Sequence, residues 1–182
     1  MSVVEFTGER YVPGTGGFQI AYEHLHRYLF AARWAAGKSV LDVGTGVGYG
    51  ASMLAQVAQC VCAVDRDASS LRYARETFGR DNLFFIQADA SHLPFRSRSF
   101  DVVAALEVLE HVTEQEGLVR ELARVARPGG AVLISTPNRA TYSDARDYSN
   151  PYHVREFYRD EFLLLLKKHF RHFSLSSTGR DR

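Results

Sequence analysis

The chain has 182 residues, 46% of them hydrophobic, which is enough for one domain with a single sizeable core. Its 22 lysines and arginines nearly balance 21 aspartates and glutamates, for a net charge of +1. A nucleic-acid-binding protein usually carries a clear basic excess, so we expect no nucleic-acid partner. No apolar run approaches the ~20 residues that cross a bilayer, and the N-terminal residues lack a signal-peptide pattern. We therefore expect no membrane association and a cytoplasmic location.

Apolar runs alternate with helical patterns from about residue 20 onward. This order predicts an α/β fold, a three-layer αβα Rossmann-like sandwich with a mostly parallel sheet. The predicted strands span residues 39–43, 60–64, 83–87, 101–106, 131–136 and, more weakly, 173–176. The predicted helices span residues 20–36, 48–57, 68–78, 113–126 and 159–169. Asp67 is the expected N-cap of the third helix, and TEQE at residues 113–116 has the form of a capping box.

Two segments interrupt this alternation. Residues 1–19 are rich in Gly, Thr and Pro, and we interpret them as a flap that precedes a domain over residues 20–182. Tyr11, Phe18 and Tyr22 could close this flap over a ligand. Residues 138–155 are polar and Tyr-rich, and a long loop that follows a strand is a common place for substrate binding in such folds.

A glycine-rich turn, VLDVGTGVGYG, follows the first predicted strand at residues 40–50. A dinucleotide-binding turn receives a pyrophosphate, and it would have glycine at position 49 and no nearby carboxylate. This chain has Tyr49, and Asp42 lies two residues before Gly44. A carboxylate repels phosphates but attracts S-adenosylmethionine, which has a sulfonium and an α-ammonium group and no phosphate. The turn therefore favours S-adenosylmethionine over NAD.

Two further aspartates follow strands. Asp65 ends the second predicted strand, 21 residues after Gly44, where a carboxylate can accept hydrogen bonds from both ribose hydroxyls. Asp89 follows the third strand, where it can accept a hydrogen bond from an adenine amine. Arg66 could mark a 2′-phosphate, and hence a phosphorylated dinucleotide, or simply face solvent. The three acidic residues at strand ends form one line of anchors.

Four motifs occur in order: VLDVGTGVGYG, AVDRD, QADASHLPFRSRSFDVVAALEVLEHV and RVARPGGAVLISTPN. Together they resemble a class I S-adenosylmethionine-dependent methyltransferase, of the type 11 kind that is similar to ubiquinone and menaquinone biosynthesis enzymes. The resemblance covers roughly residues 20–176. It implies that the cofactor is held by Asp42, Gly44, Thr45, Gly46, Gly48, Asp65, Arg66, Asp89, Ala90 and Glu107.

Methyl transfer is an in-line displacement, so the protein must first align its reactants, and it needs a base only where the acceptor loses a proton. The candidate catalytic residues are Glu107 and His111, after the fourth strand, and His153, after the fifth. Either histidine could instead be structural. The sequence has no metal-binding spacing such as H-E-x-x-H, so it predicts no metal.

The acceptor is expected to be a small molecule or a glycan. The flanks FTGERYVPG and NPYHVREF resemble bacterial methyltransferases of cell-surface glycan biosynthesis, which favours a sugar hydroxyl. A non-catalytic protein that binds S-adenosylmethionine or S-adenosylhomocysteine is the first alternative, and an NAD(P)-dependent oxidoreductase is the second. The family's seventh strand is not visible in the sequence, so a further segment or a second copy, as a homodimer, could cover the sheet edge.

Overall fold

The computed structural model describes residues 18–176, with side chains from Tyr22 onward. Residues 1–17 of the predicted flap, including Tyr11, and the side chain of Phe18 lie outside these limits, so the flap stays a prediction there, whereas residues 18 and 19 belong to the first helix and form no flap. The helices are α1 (Phe18–Ala35), α2 (Tyr49–Ala55), α3 (Ala68–Phe78), α4 (Gln115–Val125), α5 (Arg139–Tyr142) and α6 (Arg159–His169). The strands are β1 (Ser39–Val43), β2 (Cys60–Asp65), β3 (Leu83–Gln87), β4 (Phe100–Leu106) and β5 (Ala126–Ser135). Short 3-10 turns span Leu109–His111 and Asp144–Arg146.

The five strands form one sheet in the order β3-β2-β1-β4-β5, and every pair is parallel. Helices cover both faces, which confirms the three-layer α/β fold. Val40 packs in the core on the side of α1, α2 and α3, whereas its neighbour Leu41 packs on the side of α4 and α6. After β1, the strands β2 and β3 are added on one side of β1, and β4 then pairs with the other side of β1. This reversal opens a crevice at the carboxyl ends of β1 and β4.

Most predicted elements are confirmed with small shifts, and the central strands are apolar because both of their faces are covered. The fifth strand differs: it begins at Ala126 instead of residue 131. Ala126 pairs with Phe100 and Ala131 pairs with Val102, so the residues between them form a bulge. Gly129 adopts φ +79° there, a conformation that suits glycine. The Pro-Gly-Gly sequence indicated a turn before the strand, whereas in the structure β5 pairs with β4 on both sides of these residues.

Two local predictions are wrong. Residues 173–176 form no strand, and Phe173 and Leu175 are exposed because no neighbouring strand among the described residues pairs with them. β5 is therefore an edge of the sheet within residues 18–176. The capping box at residues 113–116 is also absent, since α4 starts at Gln115 with no side-chain cap. The Asp67 cap is confirmed: its carboxylate accepts from the backbone N–H groups of Ser69 and Ser70.

None of the helices between residues 18 and 176 combines the length and apolar character needed to cross a membrane.

Candidate functional site

A cavity of about 590 Å³ opens at the carboxyl ends of β1, β2 and β4. This volume falls within the range of small-molecule sites. Its walls come from α1, the turn after β1, the ends of β2 and β3, the segment after β4, and the loop between β5 and α6. The cavity brings together most of the residues that the sequence singles out, although they lie far apart in the chain.

The glycine turn forms one wall of the cavity. Its Gly44 and Thr45 N–H groups donate to the Val64 carbonyl over 2.8 and 2.9 Å, which fastens the turn to β2. Gly46 has φ +55°, and no atom lies within 4 Å of the position that a Cβ would occupy, so the backbone faces open space. A ligand can therefore approach the main chain closely at Gly46.

Gly48 does not line the cavity. A Cβ on Gly48 would lie 2.6 Å from Ala74 Cβ and 2.8 Å from the Phe85 ring. The glycine thus allows the start of α2 to pack against α3 and β3. The sequence pattern could not distinguish a glycine needed for ligand approach from one needed for packing.

Asp42 is fully buried and does not line the cavity, so its carboxylate lies behind the cavity wall. The Tyr28 hydroxyl lies 3.3 Å from both carboxylate oxygens. Burial raises the pKa of Asp42 to about 7, while hydrogen bonds from Thr45 and Tyr28 act in the opposite direction. Tyr28 belongs to α1, and no pattern in the sequence indicated that this helix covers the end of β1.

Asp65 lines the cavity at the end of β2, as predicted. Its Oδ2 accepts from the Gly46 N–H over 2.8 Å, and its Oδ1 accepts from the Asp67 N–H over 2.9 Å. The carboxylate therefore links the glycine turn to the start of α3 and is held rigidly. Arg66 also lines the cavity, and its carbonyl accepts from Gln87 Nε2 over 3.0 Å.

The loop after β3 contributes Asp89 and Ala90 to the cavity wall. The Ser91 N–H donates to Asp89 Oδ1 over 2.8 Å, and His92 Nδ1 lies 3.6 Å from Asp89 Oδ2. Asp89 remains well exposed, so it keeps acceptor positions open toward the cavity.

Glu107 projects into the cavity just after β4 and has the left-handed φ of +57°, which is uncommon outside glycine. Its N–H donates to the Ser135 carbonyl over 3.1 Å, and its Oε1 accepts from Ser135 Oγ over 2.7 Å. Arg27 Nε approaches the same Oε1 at 3.2 Å. Such backbone strain, held by neighbouring contacts, is often found at functional sites.

Four residues of α1 line the cavity and were missed by the sequence analysis: Glu23, His24, Arg27 and Tyr28. Burial, with a smaller effect from Arg27, lowers the pKa of His24 to about 4, so this imidazole is neutral at pH 7. His24 Nδ1 lies 3.0 Å from the Tyr49 hydroxyl. The available signal was the spacing of these polar residues along one helix that precedes the glycine turn.

His111 and His153 meet at the far end of the cavity. Their ring centroids lie 4.9 Å apart in an edge-to-face arrangement. His111 Nδ1 lies 3.0 Å from the Tyr152 carbonyl, and His153 Nδ1 lies 2.6 Å from Glu156 Oε1. Tyr152 itself is 40% exposed and does not line the cavity.

Glu110 lies beside these histidines and was also missed. It is buried, and Thr136 Oγ1 donates to its Oε2 over 3.0 Å. Burial and the neighbouring Glu107 raise the pKa of Glu110 well above its usual range. Its carbonyl accepts from the Val154 N–H over 2.8 Å, which fastens the loop after β5 to the segment after β4.

A glycine turn after the first strand of a parallel sheet, with carboxylates at the ends of the next two strands, defines a Rossmann-like nucleoside-binding domain. The family model for the methyltransferase domain matches residues 41–134, just over half of the chain, so the chain belongs to this family. It is 39% identical over 173 residues to a probable S-adenosylmethionine-dependent methyltransferase of Mycobacterium tuberculosis, covering 91% of this chain and 60% of the relative.

Two other relatives span different ranges. A probable S-adenosylmethionine-dependent methyltransferase of Mycolicibacterium smegmatis is 38% identical over 168 residues, covering 91% of this chain and 65% of that protein. The ubiquinone/menaquinone biosynthesis C-methyltransferase of Hahella chejuensis is 38% identical over 123 residues, covering 62% of this chain and 49% of its own. The chain thus spans under two thirds of the length of these relatives.

Solved structures share the fold. The YcgJ protein of Bacillus subtilis superposes with a TM-score of 0.71 at 25% identity, covering 80% of this chain and 68% of that one. A Pyrococcus horikoshii protein superposes with a TM-score of 0.75 at 23% identity, covering 92% and 88% of the two chains.

Proposed function

We propose that this domain binds S-adenosylmethionine and transfers its methyl group to a hydroxyl of a small-molecule or glycan acceptor. The observation that carries the proposal is the row formed by Gly46, Asp65 and Asp89 along one cavity wall, in a member of the methyltransferase-domain family. This row consists of main chain without a side chain at Gly46 and of the carboxylates of Asp65 and Asp89. These match the methionine, ribose and adenine parts of the cofactor.

Each part of the cofactor has a proposed partner. Asp65 accepts from the ribose hydroxyls, because its oxygens are already oriented by two backbone N–H groups. Asp89 and the Ala90 backbone hold the adenine, and Arg66 flanks the ribose. Gly44, Thr45 and Gly46 surround the methionine part, together with Glu107.

Asp42 and Gly48 support this site from outside the cavity. Asp42 lies directly behind the glycine turn, so its proposed effect on the cofactor's positive charge is electrostatic and needs no contact. Its charge also depends on pH, because burial raises its pKa. Gly48 supports the site by allowing the turn to pack.

The acceptor lies at the end of the cavity beyond Glu107, near His111 and His153. Transfer forms the oxygen–methyl bond as the sulfur–methyl bond breaks, so the sulfonium becomes a neutral thioether, and the hydroxyl proton passes to a basic side chain at this end of the cavity. Glu107, His111 and His153 are the proposed catalytic groups on this side. Tyr142 and Asn150 add a ring face and an amide to the wall, which suits a polyhydroxylated acceptor. We expect no nucleic-acid acceptor.

Calorimetry with S-adenosylmethionine, S-adenosylhomocysteine and NAD tests the cofactor. Binding of both adenosyl ligands in the micromolar range, with no heat from NAD, is the expected result. No heat from either adenosyl ligand would overturn the proposal, and binding of NAD alone would favour an oxidoreductase. Transfer of a labelled methyl group to a panel of glycans and phenols then tests the chemistry. Binding without transfer to any acceptor would favour a non-catalytic binding protein.

A further inference from the structure

Three side chains that commonly bind metals meet at the acceptor end of the cavity: Glu110, His111 and His153. One ligand atom of each lies within 4.8 Å of the others. The first two belong to the segment after β4, and the third belongs to the loop after β5. All three line the cavity. The sequence predicted no metal because their spacing in the chain matches no metal motif.

The remaining hydrogen bonds of both histidines fix which ring nitrogen faces the cluster. The Tyr152 carbonyl can only accept, so His111 Nδ1 carries the proton and Nε2 has the lone pair. Nε2 of His111 lies 4.0 Å from Glu110 Oε1. Nε2 is thus the ring nitrogen of His111 on the side of the Glu110 carboxylate.

His153 is oriented in the same way by a carboxylate. Its Nδ1 lies 2.6 Å from Glu156 Oε1, while Ser143 Oγ donates to Glu156 Oε2 over 2.6 Å. Asn150 Oδ1 accepts from the Tyr152 N–H, so Asn150 Nδ2 is the atom 3.0 Å from His153 Nε2. The lone pair of His153 therefore also lies on Nε2. A histidine that donates its other N–H to a carboxylate or a carbonyl is the usual arrangement of a metal ligand.

We propose that Glu110, His111 and His153 bind a divalent first-row transition-metal ion, with Glu156 as a positioning residue for His153. Two imidazoles and one carboxylate suit zinc, iron(II), cobalt(II) or nickel(II) better than magnesium, which prefers oxygen ligands. Bonds of about 2.0–2.2 Å require the three ligand atoms to close by ~1–2 Å and Asn150 Nδ2 to leave His153 Nε2. The coordination positions of the ion on the cavity side would remain open to a further ligand.

The role in catalysis rests on the proposed methyl transfer. An acceptor hydroxyl that takes an open position loses its proton more readily, because a metal ion lowers the pKa of a bound oxygen. The same Nε2 atom cannot bind a metal and accept a proton, so metal binding would replace the base role of the two histidines.

Cobalt(II) and zinc titrations of chelator-treated full chain test the site. The expected result is one ion bound per chain with visible cobalt absorption bands, and magnesium binding at least tenfold weaker. His111→Ala, His153→Ala and Glu110→Gln should each weaken zinc binding at least tenfold, and Glu156→Gln should weaken it about 10- to 100-fold. His172→Ala, which alters an exposed histidine far along the chain, is the matched control.

Near-ultraviolet circular dichroism of each variant separates lost ligands from lost fold. Unchanged zinc affinity in folded His111→Ala and His153→Ala variants would overturn the proposal, as would the absence of cobalt bands. S-Adenosylhomocysteine calorimetry in the presence of chelator keeps the two proposals distinct, because cofactor binding without metal binding would contradict the metal site alone.

Discussion

Arg27 Nε lies 3.2 Å from Glu107 Oε1, and both side chains are less than one fifth exposed. The first residue comes from α1, and the second follows β4. Their contact joins a helix that precedes the sheet to the strand that flanks the crevice.

Arg27→Met should destabilise the protein. The methionine keeps much of the side-chain volume but leaves Glu107 without its cationic partner, and removing one member of a buried ion pair costs about 3–5 kcal/mol. The cavity admits water, so we expect about 2–3 kcal/mol in urea denaturation. The double variant Arg27→Met, Glu107→Gln should recover part of this loss. No recovery in the double variant would show that Arg27 stabilises the fold by packing alone.

Asp65→Ala should weaken S-adenosylhomocysteine binding at least tenfold in calorimetry. A hydrogen bond to a charged acceptor contributes about 1.5–3 kcal/mol, and the ribose would lose two. Asp160→Ala, which removes an exposed carboxylate on α6, is the matched control. Because Asp65 also accepts from the Gly46 N–H, the thermal melt of each variant must accompany the titration. Unchanged affinity in folded Asp65→Ala would remove this residue from the site.

Asp42 should make stability depend on pH. Its pKa is about 7 in the folded state and about 3.9 in the unfolded chain. Between these values the folded state binds a proton that the unfolded state has lost, so the contribution of Asp42 to stability falls as the pH rises from about 4 to about 7. The Asp42→Asn variant should lack this decline in stability, because asparagine does not titrate.

Urea denaturation of both proteins at pH 5 and pH 8 measures this difference. The comparison with Asp42→Asn is needed because His24 acts in the opposite direction: its folded pKa of about 4 makes its contribution rise between pH 4 and its unfolded value. Parallel pH profiles for the two proteins would contradict the raised pKa of Asp42.

Gly46→Ala and Gly48→Ala should fail in different ways. Alanine at position 48 meets Ala74 and Phe85, so we expect a loss of stability of about 1–3 kcal/mol from overpacking, with strain added by φ +83°. Alanine at position 46 meets no atom within 4 Å, so its stability cost is limited to the strain of φ +55°, about 1 kcal/mol, while its methyl group would occupy space at the cavity, so cofactor affinity should fall more than stability. Urea denaturation and cofactor calorimetry on both variants separate these effects. Equal losses of stability and of cofactor affinity in the two variants would contradict the different roles of the two glycines.

β5 lies at the edge of the sheet within the described residues, and its outer backbone groups are available for pairing. We predict a homodimer through this edge. Light scattering over a concentration series measures the state directly. A monomer at every concentration would contradict the prediction.

Hydrophobic patterning alone placed the parallel strands, because strands such as β1 are covered on both faces and their apolar runs are hard to mistake. It also placed Asp65 and Asp89 at the cavity, since the carboxyl ends of parallel strands share one edge. The pattern failed at Pro128–Gly130, where turn residues sit inside a paired strand as a bulge.

The sequence by itself thus determined the sheet, the glycine turn and the family. Only the tertiary structure decided that Asp42 is sealed behind Tyr28, and that Arg27 reaches Glu107. It also brought Glu110 and His111 against His153, which lies on another loop. The physical reason is that local spacing fixes helices and strands, whereas helix packing and loop return bring together side chains that no interval in the chain connects.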